Sequence, residues 1–254
     1  MEEQISRINL SRVDSTNNFV RDMLSFGDQL DGMTLVVAEA QSAGRGQAGN
    51  HWEAEPGQNL TFSLLCHPDF VPASRQFIIS QCIALAIVQA LQAELPATGD
   101  PALALSIKWP NDIYVGDRKI CGTLIECDLR GKNISNCIIG TGLNVNQTRF
   151  LSDAPNPVSL KQLTHREHDR EAILAAICSG FQTRYDQVRQ GEDEAIRQDY
   201  AERLYRRRGM HRYADVRGEF MAEIAAVEPT GHLLLRLEDG NTCRYEFKEV
   251  RFIL

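Results

Sequence analysis
The stretch from Ala104 to Val145 constrains the fold most. Short apolar runs at Leu105–Lys108, Ile113–Val115, Lys119–Leu129 and Ile134–Ile139 are divided by Trp109-Pro110-Asn111-Asp112, Gly116-Asp117 and Gly131-Lys132-Asn133. Connections this short join only antiparallel neighbours, because a parallel crossover needs about a dozen residues or more. A doubly wound, all-parallel sheet is thereby excluded. Two further strands are expected upstream, at Met33–Glu39 and Asn59–Cys66. Helical spacing of Phe19, Val20, Met23 and Leu24 behind Asp14-Ser15-Thr16-Asn17 predicts a capped helix that Gly27 ends. Ser74–Leu95 is apolar on nearly every face, as a helix buried against a sheet must be. Glu167–Val188 puts Ile173, Ile177, Phe181, Tyr185 and Val188 on one side, and Asp193–Leu204 reads as another helix. The fold class is therefore α+β, with a largely antiparallel sheet flanked by helices.

After Tyr205 the texture changes. Arg206-Arg207-Arg208-Gly209 reads as a basic, flexible link into strands at Met221–Val227, Leu233–Leu237 and Thr242–Phe252, divided by Pro229-Thr230-Gly231 and Asp239-Gly240-Asn241. This predicts two domains, 1–205 and 206–254, the second a small β-barrel or meander. The net charge of -7 comes almost wholly from the first, where 18 Lys+Arg face 26 Asp+Glu, against 9 and 8 in the second. So acidic a body argues against a general nucleic-acid surface, and no DNA partner is expected. The seven cysteines form no CxxC pair, and no His lies at metal-ligand spacing. They read as small buried residues in a reducing compartment, so the protein is expected in the cytoplasm. No membrane partner is expected either: Met1-Glu2-Glu3-Gln4 is charged, and polar residues interrupt the apolar Phe77–Leu95 run.

Several motifs carry chemistry, each with a plainer reading beside it. Gly44-Arg45-Gly46-Gln47-Ala48-Gly49 matches G-x-G-x-x-G after a strand. A dinucleotide turn needs a helix to follow immediately, and Asn50–Gly57 cannot begin a stable one. An ordinary surface loop and an anion cradle with Arg45 as fixed charge both stay open. Lys108-Trp109-Pro110-Asn111-Asp112 reads as a hairpin turn with a packed indole, and Lys119 as an edge lysine. Ser15-Thr16 suffices as a helix cap, and Gly140-Thr141-Gly142-Leu143-Asn144-Val145-Asn146 as a bulge at a strand end. His165 and His168 read as a solvated helix start.

Taken in order, Asp14-Ser15-Thr16-Asn17, Glu39-Ala40-Gln41-Ser42-Ala43-Gly44-Arg45-Gly46, Lys108–Asp112, Arg118-Lys119-Ile120-Cys121-Gly122-Thr123-Leu124-Ile125-Glu126 and Gly140–Asn146 resemble the biotin protein ligases. The resemblance covers residues 9 to 160 motif by motif. It implies a class II synthetase and lipoate ligase-like catalytic domain built on a central mixed, largely antiparallel sheet, with an SH3-like β-barrel behind it. It also implies ATP-dependent activation of biotin to biotinyl-5'-AMP with Mg2+, then transfer to one lysine of a biotin carboxyl carrier domain. By resemblance Arg45 and Lys119 are catalytic. Ser15, Thr16, Asn17, Gln41, Gly44, Arg45, Gly46, Gln47, Trp52, Lys119 and Gly122 would meet biotin. Arg45, Gly46, Trp52, Lys108, Asn111, Lys119 and Asn144 would meet ATP, with Asp112 a candidate carboxylate on the magnesium side.

Two departures stand out. The family's glycine loop usually reads Gly-Arg-Gly-Arg, whereas Gln47 takes the second arginine's place here, and Asn50 stands where an arginine is common. Some relatives carry an N-terminal winged helix that binds DNA. Only a short segment precedes the first motif here, which predicts the monofunctional type; monomer and homodimer both stay open. The lipoate and octanoate ligases, which share the fold, typically carry an Arg-x-x-Gly-Gly-Gly segment, and no run of three glycines occurs here.

Overall fold
The structure is a computed structural model that describes residues 5–27, 30, 32–96, 99–152 and 156–253. Met1–Gln4, used above to judge targeting, lie outside the described residues. Seven strands form the main sheet: β1 (Ile5–Leu10), β2 (Met33–Ala38), β3 (Leu60–Cys66), β4 (Leu105–Lys108), β5 (Asp112–Val115), β6 (Arg118–Arg130) and β7 (Asn133–Leu143). Their order is β1-β2-β3-β7-β6-β5-β4. Only β1 and β2 run parallel, joined by α1 (Thr16–Phe26); every other neighbouring pair is antiparallel. The sheet is thus mixed and largely antiparallel, as expected, and β4 to β7 form the meander that the short turns require.

Strand alternation sorts the side chains onto two faces. Leu60, Phe62, Leu64 and Cys66 of β3 join Cys137, Ile139 and Leu143 of β7 in the main core, under α2 (Phe77–Glu94) and α4 (Arg170–Arg189). Helix α2 is apolar all round and long enough to cross a membrane by composition, but it is packed inside the protein between sheet and helices. Each of its fully buried Ile and Leu side chains contributes about 1.5–3 kcal/mol of burial free energy. On the other face Val20 of α1 packs with Val36, Leu65 and Ile138 in a smaller cluster. The helices are completed by α3 (Leu160–Thr164) and α5 (Asp193–Glu202).

A second, antiparallel sheet is formed by β8 (His211–Asp215), β9 (Gly218–Val227), β10 (Leu233–Leu237), β11 (Thr242–Tyr245) and β12 (Arg251–Phe252), in the order β11-β10-β9-β8-β12. The expected Thr242–Phe252 strand is two strands, broken by a turn at 246–250.

Three expectations are corrected. The basic link is tied down: the Arg206 guanidinium lies 5.2 Å over the Tyr205 ring and donates to the Arg212 carbonyl, and Arg207 pairs with Glu202. His168 is buried, its Nδ1 2.6 Å from Glu94 Oε2 and its Nε2 2.6 Å from Thr164 Oγ1, so it braces α2 against the chain before α4. Gly140 and Gly142 form no bulge, for β7 pairs through both of them in regular register. Strands β1 and β8 and helix α3 carry too few patterned residues to have been foreseen.

Candidate active site
The α1 side of the sheet carries a cleft of about 610 Å³, within the ordinary range for small-molecule sites. Its floor is made where β6 and β7 present Gly122, Leu124, Gly140 and Gly142 on one face, with Ser63 of β3 beside them. Ser15, Thr16 and Asn17, all buried, dip into it from the start of α1. They are not merely a cap, since Ser15 makes no side-chain capping hydrogen bond. Asn17 is locked instead: its Oδ1 accepts from Ser63 Oγ at 2.6 Å and its Nδ2 donates to Leu124 O and Glu126 Oε2. Asn17 Oδ1 lies 2.2 Å from where a Cβ on residue 140 would sit, which explains the glycine there. Gln41 Oε1 accepts from the Thr16 backbone N–H at 2.8 Å.

The glycine-rich loop folds back on itself. Gly46 N–H donates to Asn50 O, Trp52 N–H donates to Gly44 O, and Arg45 bridges to His51. Gln47–Gly49 makes a single 3-10 turn, with no helix behind it to receive a pyrophosphate, so the dinucleotide reading fails. The fold-back lays the Trp52 indole across Gly142, whose missing Cβ would stand 2.2 Å from Cε2. Gln47 Oε1 and Trp52 Nε1 are buried at this cleft without a hydrogen-bond partner. Buried polar atoms are seldom left so, and a bound ligand is the natural partner.

Five cations line the cleft, and three of them, Arg45, Lys108 and Lys119, come from the main sheet and the glycine-rich loop. Arg45 donates to Asn18 Oδ1 at 2.8 Å and to Glu126. Lys119 Nζ lies 2.7 Å from Asp112 Oδ1 and 5.8 Å from the Trp52 ring centroid. Lys108 Nζ donates to Tyr114 Oη at 3.1 Å beneath the Tyr114 and Phe252 rings, and this burial lowers its pKa below the ordinary lysine value. Asn111 also lines the cleft, braced by its Nδ2 donating to Thr123 O. Asp112, the magnesium-side candidate, is engaged by Lys119, and no group of three His, Cys, Asp or Glu among the described residues could hold a metal.

Two expected residues stand apart. Gly44 lies behind the wall, its α-carbon facing the Trp52 carbonyl, and Asn144 donates to Val158 O and braces the end of β7. Neither lines the cleft, whereas Gly46, Gln47 and Gly122 do. Sequence reasoning missed the other wall: Phe247, Lys248, Val250, Arg251 and Phe252 come from the second sheet. Trp109, at the cis Trp109-Pro110 bond, donates from Nε1 to Gly231 O at 2.8 Å and clamps that sheet to the hairpin. Its sequence signal was the packed indole; nothing local showed what it packs on.

Residues 10–144 match the model of the biotin/lipoate A/B protein ligase family. Over 216 residues the chain is 31% identical to a bifunctional ligase/repressor BirA of Bacillus spizizenii, covering 82% of this chain and 62% of that one. The chain thus spans under two thirds of that curated relative's length. It is 32% identical over 185 residues to a biotin–acetyl-CoA-carboxylase ligase of Paracoccus denitrificans, covering 68% of this chain and 70% of the other. Among solved structures, a biotin protein ligase from Aquifex aeolicus in complex with biotin and ATP superposes with a TM-score of 0.77 at 22% identity, covering 98% and 99% of the two chains, which shows the shared fold. With five ordered motifs converging on one cleft of this fold, the chain belongs to the biotin/lipoate A/B protein ligase family.

Proposed function
We propose that this chain is a biotin protein ligase. It activates biotin with ATP to biotinyl-5'-AMP, then transfers the biotinyl group to a specific lysine of the biotin carboxyl carrier domain of a biotin-dependent carboxylase. The observation that carries the reading is that Arg45 and Lys119 face one cleft with a set of uncharged groups that suits a polar ring: the Ser15, Thr16, Asn17 and Gln41 hydroxyls and amides at one side, the Trp52 indole over bare glycine strand at the other. The ureido ring of biotin offers one carbonyl and two N–H groups to such partners. The named relatives support the same chemistry.

In the first step the biotin carboxylate oxygen attacks the α-phosphorus and pyrophosphate leaves. Two anions must meet, so the main requirement is a preorganised cationic site. Arg45 and Lys119 bring the carboxylate and α-phosphate together, each contact contributing about 1.5–3 kcal/mol. Lys108 and Asn111 face the phosphate side, and Trp52 walls the apolar ring and side chain. ATP enters as its magnesium complex, the metal riding on the phosphates. In the second step the acceptor amine attacks the acyl carbon and AMP leaves. Residues 1–205 form the catalytic domain and 206–254 an SH3-like one that closes the cleft. Seven free cysteines support a reducing, cytoplasmic setting.

The test is ATP–pyrophosphate exchange on purified protein with magnesium, comparing biotin, lipoate, octanoate and no acid. Exchange with biotin alone is expected. Exchange with lipoate or octanoate instead moves the assignment to the sister enzymes, and none with any acid removes the ligase reading. Labelling of a purified carrier domain, lost when its target lysine is replaced, tests the second step.

A further inference from the structure
Glu126 stands between two groups of the cleft, Asn17 and Arg45. It projects from β6 on the cleft face, one alternation beyond Leu124. Its Oε2 accepts from Asn17 Nδ2 at 2.8 Å and from Arg45 Nη1 at 3.4 Å, and its Oε1 accepts from Arg45 Nη2 at 3.2 Å. Its side chain is 21% exposed, against 41% for Arg45, so the pair is less screened than two open surface charges.

Arg45 needs such support. It sits on a loop between Gly44 and Gly46, and its long side chain has many rotamers to lose when a ligand arrives. Asn18 Oδ1 and the two Glu126 oxygens grip one side of the guanidinium and leave Nε–H and a second Nη2–H for an anion. Asn17 does not depend on this carboxylate, being held also by Ser63 Oγ and Leu124 O. Arg21 approaches Glu126 only to 3.7 Å and leans on Asp128.

We propose that Glu126 is a positioning residue that holds the Arg45 guanidinium in place for the substrate acid. The proposal rests on the biotin-activation reading. Its test is the exchange assay with Glu126→Ala and Glu126→Gln, together with biotin affinity by calorimetry in wild-type and Arg45→Ala backgrounds. Glu126→Ala should raise the biotin KM about tenfold, leave the ATP KM within about twofold, and change biotin affinity less than about twofold once Arg45 is gone. Glu126→Gln, which keeps the shape and one acceptor, should fall between and carries the same test if the alanine variant does not fold. Arg21→Ala should stay near wild type. An unchanged biotin KM in both Glu126 variants, or equal losses with and without Arg45, overturns the proposal. A wild-type protein without biotin-dependent exchange fails earlier, on the functional reading itself.

Discussion
Gly142→Ala is the sharpest probe of how the cleft is built. A methyl group on residue 142 would meet Trp52 at 2.2 Å from Cε2, 2.4 Å from Nε1 and 2.6 Å from Cδ2. To restore ordinary contact near 3.4 Å the indole must retreat by about 1.2 Å. Strand β7 cannot yield, since it is paired on both sides at this residue. The Trp52 side chain sits on a folded-back loop, half-buried and without a hydrogen bond from its Nε1, so the displacement falls on the ligand wall rather than on the core. A shift of about 1 Å at a positioning wall costs on the order of a hundredfold in rate. Biotin-dependent exchange should therefore drop about a hundredfold while the melting temperature falls by less than about 4 °C, the equivalent of about 1 kcal/mol in a chain of this size. In a Trp52→Ala background the same substitution should be nearly silent, because the obstacle is gone. Full exchange in Gly142→Ala, or an equal loss in both backgrounds, would refute the reasoning.

Other substitutions separate charge from shape. Arg45→Ala and Lys119→Ala should each reduce exchange by about two orders of magnitude or more if electrostatic stabilisation dominates, and near-normal activity removes that residue from the mechanism. Gln47→Arg should slow dissociation of bound biotinyl-adenylate, measured by chase after single turnover, because it returns a charge to the loop beside the ligand; an unchanged off-rate sinks this idea. Burial lowers the Lys108 pKa, so its charge is lost at a lower pH than that of a free lysine, and exchange should decline on the alkaline side over that window. Lys108→Arg should shift the decline upward, whereas an identical alkaline limb in both proteins excludes Lys108 as its source. In that same window the unfolded chain holds more protons than the folded one, so this residue makes stability rise with pH as activity falls.

What was legible in the sequence was local. The strand-and-turn rhythm of 104–145 gave β4 to β7 and their antiparallel pairing, and Gly27, at φ 81°, ends α1 as its position suggests. The Ser15–Asn17 segment, Arg45 and Lys119 were found because their motifs occur in a recognisable order. The rest depended on distance. Gly140 and Gly142 look like a strand end in one dimension, and only the approach of Asn17 and Trp52 gives their missing Cβ atoms a reason. His168 reads as solvated until Glu94, far away on α2, is placed against it. The wall at 247–252 lies more than a hundred residues beyond Lys119, in a turn and the two-residue strand after it, with no motif of their own. Gly44 and Asn144 show the converse, for the resemblance assigned them to the ligands and neither lines the cleft.

The Trp109 contact bears on how the molecule comes apart. Its indole N–H is committed to Gly231 O, its ring meets Phe247 edge-on at 6.2 Å, and Phe77 at the start of α2 presses on the same Gly231. One turn of the second sheet is thereby wedged between the hairpin of β4 and β5 and the main core helix. Loosening that sheet would strip partners from the hairpin and from α2 together, so the two layers share one cooperative unit. A single calorimetric transition follows, and the slowest-exchanging amides of β9 and β10 should open with the same free energy as those of α2.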